Sequence, residues 1–85
     1  MIDAKKAVEL AIQYFRSVSL GTPGPWNITV EEVELSEDET SWLVTLGYTD
    51  SPTQVIVGGA GRRYKIFRID ATSGRVLSMK IRPAS

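Results

Sequence analysis

Cysteine and histidine are both missing from this chain of 85 residues. Without cysteine there can be neither a disulfide framework nor a thiolate zinc site, so packing alone must hold the fold together. Without histidine the chain lacks the commonest general base near neutral pH and the commonest transition-metal ligand. The other reactive side chains form no nucleophile and base pair whose placement the sequence supports, so we expect no enzymatic activity, no metal site and no cofactor.

Long apolar runs are missing as well. No stretch approaches the roughly 20 apolar residues that are needed to cross a bilayer. The amino-terminal segment MIDAKKAVELA breaks its apolar residues with Asp3 and later charges, unlike an export signal, whose apolar core is uninterrupted. The sequence therefore predicts a soluble domain, most simply cytoplasmic, that makes no membrane contact.

The composition that is present is ordinary for a globular protein, with 42% hydrophobic and 24% charged residues. A chain of this length forms one domain, residues 1–85, with an expected stability of about 4 to 12 kcal/mol. The net charge is zero, but residues 1–50 hold three basic and nine acidic side chains and residues 51–85 hold seven basic and one acidic. This division indicates either a basic half that binds a partner or acidic and basic strands that attract one another in one sheet.

The first 20 residues have the period of an amphipathic helix, predicted over residues 3–19. Asp3 is the expected N-cap, and Gly21 followed by Pro23 is the expected stop. The predicted apolar side of this helix is formed by Ala4, Ala7, Val8, Ala11, Ile12, Tyr14, Phe15 and Val18.

From Trp26 onward the period changes from 3.6 to 2, which predicts β-strands. The alternation slips at Glu31 and Glu32, which predicts either a bulge or a twist before Val33 continues on the other parity. The segment SEDET is a predicted hairpin loop that leads into a strand beginning near Trp42. Segment 50–61, DSPTQVIVGGAG, is typical of a long connection, in which residues 55–57 form either a short edge strand or loop packing.

Residues 64–82, YKIFRIDATSGRVLSMKIR, have the pattern of a β-hairpin. We expect Phe67 opposite Met79, Ile69 opposite Leu77, and a positive φ at Gly74 in the turn. The predicted fold is α+β in two layers: one N-terminal amphipathic helix packed on one face of a four-stranded antiparallel sheet, in the order α-β-β-β-β. The predicted inner face of this sheet comprises Ile28, Val30, Trp42, Val44, Leu46, Tyr48, Phe67, Ile69, Leu77, Met79 and Ile81.

The helix, the Trp-x-Val strand WLV (residues 42–44) and the aromatic-led strand that runs into IDATSGRVLS together resemble a PepSY-type domain. The chain departs from that pattern at Tyr64, which lies one residue early so that Lys65 takes the aromatic position, and in the glycine-rich connection. The resemblance covers most of the chain. It implies a small noncatalytic module, often extracytoplasmic, that is associated with the regulation of peptidases.

Several local motifs have a functional and an ordinary interpretation. The segment GGAGRR (58–63) could offer amides and guanidinium groups to a phosphate, but a strand rather than a helix follows it, so we favour a flexible loop with solvated arginines. The acidic residues from Glu31 to Glu39 lack the spacing of a calcium loop and are typical of a solvated edge and loop tip. Trp26 and Trp42 have inner-face parity, which favours the core.

The opposite face of the predicted sheet is the best candidate for a binding surface, because no further segment is assigned to cover it. Near Asn27, Thr29, Leu43 and Thr45 it presents a basic group with one aromatic and one aliphatic residue: Tyr64, Ile66, Arg68, Lys80 and Arg82, with Ser78 between them. This pattern fits contact with a protein partner or self-association. Single-stranded nucleic acid is the alternative, and comes second because the net charge is zero. An ordinary solvated face also stays open.

Overall fold

The computed structural model describes residues 1–19, 24–50 and 62–82. Its helix and strands are α1 (Ala4–Val18), β1 (Trp26–Leu35), β2 (Ser41–Thr49), β3 (Arg63–Asp70) and β4 (Val76–Arg82). The strands form one antiparallel sheet in the order β1-β2-β3-β4, and α1 packs against it. This confirms the predicted two-layer α+β fold. The predictions for residues 21–23, 51–61 and the edge strand at 55–57 lie outside the described residues.

Helix α1 begins as the sequence predicts. Asp3 is the N-cap, and its carboxylate accepts a hydrogen bond of 2.8 Å from the backbone N–H of Lys6. Tyr14 and Val18 were expected on the buried side but are 37% and 47% exposed. The stripe of α1 that is fully buried is therefore narrower, and consists of Ala7, Ala11 and Phe15.

The residues before the helix are fastened to one end of the sheet. The backbone N–H of Ile2 donates to the carbonyl of Ala71 at 2.8 Å, and the carbonyl of Ile2 accepts from the indole N–H of Trp42 at 3.0 Å. Both hairpin turns, residues 36–40 and 71–75, lie at this end. These two bonds fix where the helix starts and satisfy the polar atom of a tryptophan whose ring packs against the core.

The core lies between α1 and the two central strands. Its largest fully buried apolar side chains all belong to β2 and β3: Val44, Leu46, Phe67 and Ile69. Phe15 of the helix meets Tyr48 edge-on with ring centroids 4.9 Å apart, and it meets Phe67 at 5.5 Å. These contacts confirm that the helix covers the predicted face.

The last hairpin closes in a different register from the one expected. Phe67 pairs with Met79 as predicted, but Val76, and not Leu77, lies opposite Ile69. The extra residue is Leu77, which forms a bulge in β4 and is 47% exposed. The bulge changes the parity of the strand, so Val76 packs against the core in the place predicted for Leu77.

Two further residues were wrongly expected on the buried surface. Val30 and Ile81 pair with Leu46 and Lys65, so both have inner-face parity. They nevertheless remain 47% and 77% exposed. Both belong to edge strands, and one helix buries the central strands more completely than the edges.

The turn of the last hairpin has the predicted chemistry. Gly74 has φ +79°, and its N–H donates to the carbonyl of Asp70 at 2.9 Å. The Asp70 carboxylate accepts from the backbone N–H groups of Ser73 at 3.1 Å and Thr72 at 2.8 Å. These bonds to the backbone of Ser73 and Thr72 hold the pKa of Asp70 below its usual value, because they favour the ionised carboxylate.

Strand β1 is irregular at two places. The register shifts between Val30 and Glu32, which confirms the predicted bulge. It shifts again between Trp26 and Thr29, where Asn27 has φ +54°. Asparagine tolerates this left-handed conformation better than most residues, so the side chain suits the distortion.

Candidate functional site

The sheet surface opposite α1, here called the outer face, is built by strand register. Directly paired residues of antiparallel strands point to the same side, so the pairing of all four strands aligns side chains across the face. The outer face comprises Trp26, Thr29, Glu32, Glu34, Leu43, Thr45, Gly47, Thr49, Tyr64, Ile66, Arg68, Ser78, Lys80 and Arg82.

All five residues predicted from the sequence lie together on this face. Tyr64 pairs with Arg82 and Ile66 pairs with Lys80, while Arg68 lies opposite Ser78 in the next row. The side chains of Arg68, Lys80 and Arg82 are exposed, and those of Tyr64 and Ile66 are half-buried. The described part of the chain places no helix over them.

The centre of the outer face is less exposed to solvent than the sequence predicted. Thr45 is only 3% exposed, although it points away from the helix. Its hydroxyl oxygen lies 3.5 Å from the guanidinium of Arg82, and Leu43 beside it is half-buried. The guanidinium of Arg82 thus lies beside the central strand, and Leu43, Tyr64 and Ile66 form an apolar patch on the face.

The sequence interpretation missed an acidic edge on the same face. Glu32 pairs with Thr45 and Glu34 pairs with Leu43, so both carboxylates belong to the outer face. The signal was present in the sequence, because a bulge that turns Val33 inward must turn its two neighbours outward. The face is thus acidic along β1 and basic along β3 and β4.

A polar cluster occupies one end of the face, and it depends on Gly47. A Cβ atom at Gly47 would lie 2.7 Å from Nη2 of Arg62 and 3.0 Å from both Oε2 of Glu31 and Oγ1 of Thr29. Arg62 donates through Nη2 to Thr29 at 2.5 Å and to the carbonyl of Asn27 at 3.2 Å, and the Thr29 hydroxyl donates to Glu31. Because Gly47 has no side chain, there is space above it for this hydrogen-bond network.

The two arginines of the GGAGRR motif are not simply solvated, as the sequence suggested. Arg62 belongs to the polar cluster, and Arg63 pairs through Nε with the Asp50 carboxylate at 2.5 Å. That pair is well exposed, so we assign it little stability. Both guanidinium groups are engaged within the chain, which argues against a phosphate site built on them.

The acidic loop at residues 36–40 is closed by its own hydrogen bonds. The Asp38 carboxylate accepts from the Ser36 hydroxyl at 2.7 Å and from the hydroxyl and backbone N–H of Thr40 at 2.8 and 3.1 Å. These bonds, led by that of Ser36, lower the pKa of Asp38 to about 2. Within the described ranges, no three carboxylates gather closely enough to hold a metal ion. The polar side chains of this loop therefore serve to close the turn.

The two tryptophans differ in their surroundings. Trp42 packs against the buried core, as its parity predicted. Trp26 lies half-buried at the start of β1, opposite Thr49, and is outside that core. The prediction of a core position is therefore right for Trp42 and wrong for Trp26.

Fold and face together define a small α+β domain with one helix-covered side and one side divided between acidic and basic edges. No family model, curated protein or solved structure matches the chain. The resemblance to PepSY domains therefore stays a prediction. Across the described ranges, no helix has the length and apolar character needed to span a bilayer.

Proposed function

We propose that the protein is a noncatalytic module that binds a protein partner through the outer face. One observation carries this proposal: the half-buried patch of Leu43, Tyr64 and Ile66 lies between an acidic and a basic edge. An apolar centre with a charged rim is the usual layout of a protein interface. The predicted resemblance to PepSY domains supports a regulatory role.

Protein contact fits the face better than single-stranded nucleic acid does. Tyr64 beside Arg82 favours the nucleic-acid alternative, because bases stack on aromatic rings and cations neutralise phosphates. However, Glu32 and Glu34 lie on the same face and would repel a phosphate backbone that crossed it. A protein surface, in contrast, can match both charge signs.

The proposal is tested by reversing charges on the outer face. The double variant Arg68→Glu with Lys80→Glu changes exposed side chains, so it should fold as the wild type does. The matched control is Lys5→Glu with Lys6→Glu, which makes the same change in net charge at exposed positions of α1. In affinity capture from lysate of the source cell, we expect a protein retained by the wild type and the control to be lost by the outer-face variant. Equal capture by both variants, together with a wild type that stays monomeric at millimolar concentration, would contradict the proposal.

A chemical-shift titration with single-stranded DNA and RNA at low salt tests the alternative. We expect no movement of the amide resonances of Tyr64, Ile66 and Lys80. Shifts that saturate, and that disappear as salt is raised, would instead establish the nucleic-acid function.

A further inference from the structure

We propose that the partner of the outer face is a second copy of this chain. The two copies dock face to face about a two-fold axis that runs parallel to the strands, between β2 and β3. This inference rests on the proposed function, because it names the occupant of the same face. It is carried by how the charges are distributed across the sheet.

The middle row of the outer face joins the two charged edges. Strand pairing places Glu32, Thr45, Ile66 and Lys80 side by side on β1, β2, β3 and β4. Three strand spacings of about 4.8 Å separate Glu32 from Lys80 by roughly 14 Å. Salt screens exposed charges beyond about 8 Å at physiological ionic strength. Attraction between these two edges therefore contributes little to the fold of a single chain.

In the part of the chain that the structure describes, these two charged side chains have no ion-pair partner. Within the described ranges, the carboxylate of Glu32 and the ammonium of Lys80 are exposed and neither forms a salt bridge. A contact that brought opposite edges together would satisfy both charges.

One symmetry operation does this. A two-fold axis parallel to the strands places β1 of one copy over β4 of the other and β2 over β3. Glu32 then lies opposite Lys80 of the second copy, and Ile66 lies opposite Thr45. Because the interface is isologous, each charge contact occurs twice. The apolar patch lies at the centre of this arrangement, with the ion pairs at its two sides.

The other face-to-face arrangement is disfavoured by charge. An axis perpendicular to the strands would place β1 over β1 and β4 over β4. Glu32 would then face its own copy and Lys80 would face its own copy. Like charges placed opposite one another across an interface repel and so disfavour the contact. The distribution of charge thus selects one of the two arrangements.

The natural twist of sheets is compatible with the proposed contact. Sheets that pack face to face cross at about 30°. For edge strands about 7 Å from the axis, this rotation displaces the facing residues by roughly 4 Å. The side chains of Glu32 and Lys80 are long enough to span that displacement.

The size of the face predicts a weak dimer. Four strands of about seven residues cover on the order of 400 Å². A standard stable interface buries about 800 Å² on each partner. We therefore expect a dimer that forms at high micromolar to millimolar concentration and weakens as salt is added.

Sedimentation velocity on the full chain tests this geometry, using Glu32→Lys and Lys80→Glu separately and as an equimolar mixture. Each variant alone places like charges opposite one another twice, so its self-association should weaken at least about tenfold. In the mixture, both contacts pair opposite charges again, so a heterodimer should form. The matched controls on α1, Glu9→Lys and Lys5→Glu, should associate as the wild type does.

A wild type that stays monomeric at millimolar concentration would overturn the inference, and so would a mixture that fails to associate. The proposed function has a separate readout. If the second copy is ruled out in either way, yet Arg68→Glu with Lys80→Glu still loses a captured protein that the α1 control retains, the outer face binds a different protein and the proposed function stands.

Discussion

Neighbouring residues of β3 show how differently the two faces of this sheet are used. Phe67 and Ile69 point to the helix and are fully buried, whereas Ile66 and Arg68 point the other way and keep contact with solvent. The same strand thus serves the core with one set of side chains and the surface with the other. Folding fixes the identity of the first set much more tightly than that of the second.

This difference separates stability from function. The centre of the inner face is apolar and is covered by Ala7, Ala11 and Phe15 of α1. The outer face carries charges of both signs, and Glu32 and Lys80 at its opposite edges are too far apart to attract one another strongly. Side chains that contribute little to folding are free to serve an intermolecular contact, and this is why we place the function on the outer face.

The largest expected effect comes from truncating the inner face. Phe67→Ala should lower the free energy of unfolding by about 3 to 5 kcal/mol, because it removes a fully buried ring and leaves a cavity. Ile66→Ala, the adjacent residue on the outer face, should cost about 1 kcal/mol or less. Urea denaturation measures both. Equal losses for the two variants would break the distinction between the faces.

Gly74→Val is expected to cost roughly 1 to 2 kcal/mol. A β-branched side chain tolerates the φ of +79° poorly, and its Cβ atom would also lie 3.1 Å from Cδ1 of Leu10. Gly74→Asn is the matched control, and should lose less because asparagine accepts a positive φ more readily. A valine variant as stable as the asparagine variant would show that the turn relaxes to another conformation. Thermal melts of the three proteins decide this.

Acid should weaken both hairpin turns. The pKa values of Asp38 and Asp70 are lowered in the folded protein, so their stabilising contribution is complete above the unfolded pKa, near 4. For Asp38 it is lost as the pH falls towards about 2. Ser36→Ala removes the hydroxyl that contributes most to this lowering, so it should raise the pKa of Asp38 towards its ordinary value. Carbon-detected NMR titration of the Asp38 carboxyl measures this, and an unchanged midpoint in the variant would contradict the assigned cause.

The smallest expected effect on stability belongs to the outer-face variant Arg68→Glu with Lys80→Glu. Its melting temperature should stay close to that of the wild type, because exposed charges contribute little to stability. A melting temperature lowered as far as that of Phe67→Ala would mean that the outer face is structural, and would remove the basis for placing the function there.

The parts of the molecule that depend on local periodicity could be predicted from sequence. The helix, its Asp3 cap, the bulge in β1 and the turn at Gly74 all leave a pattern within a few residues. The position of Tyr64, Ile66, Arg68, Lys80 and Arg82 on one face followed from strand parity.

What could not be predicted depends on contacts between distant residues. The bulge at Leu77 arises where the turn closes, with the N–H of Asp70 donating to the carbonyl of Arg75 at 2.8 Å. The burial of Thr45 depends on neighbouring strands and on the reach of Arg82, 37 residues away. The cluster over Gly47 joins Arg62 to Thr29 across the sheet. No sequence pattern links these two residues, which lie 33 positions apart.

The most direct test of the account is a dilution series followed by amide NMR, from millimolar to low micromolar protein. If the outer face is the contact surface, the resonances of Thr45, Ile66 and Lys80 should shift with concentration, while those of Ala11 in the helix and Ile69 in the core stay in place. Shifts that map to α1, or spectra that do not change with concentration, would contradict the self-docking outer face.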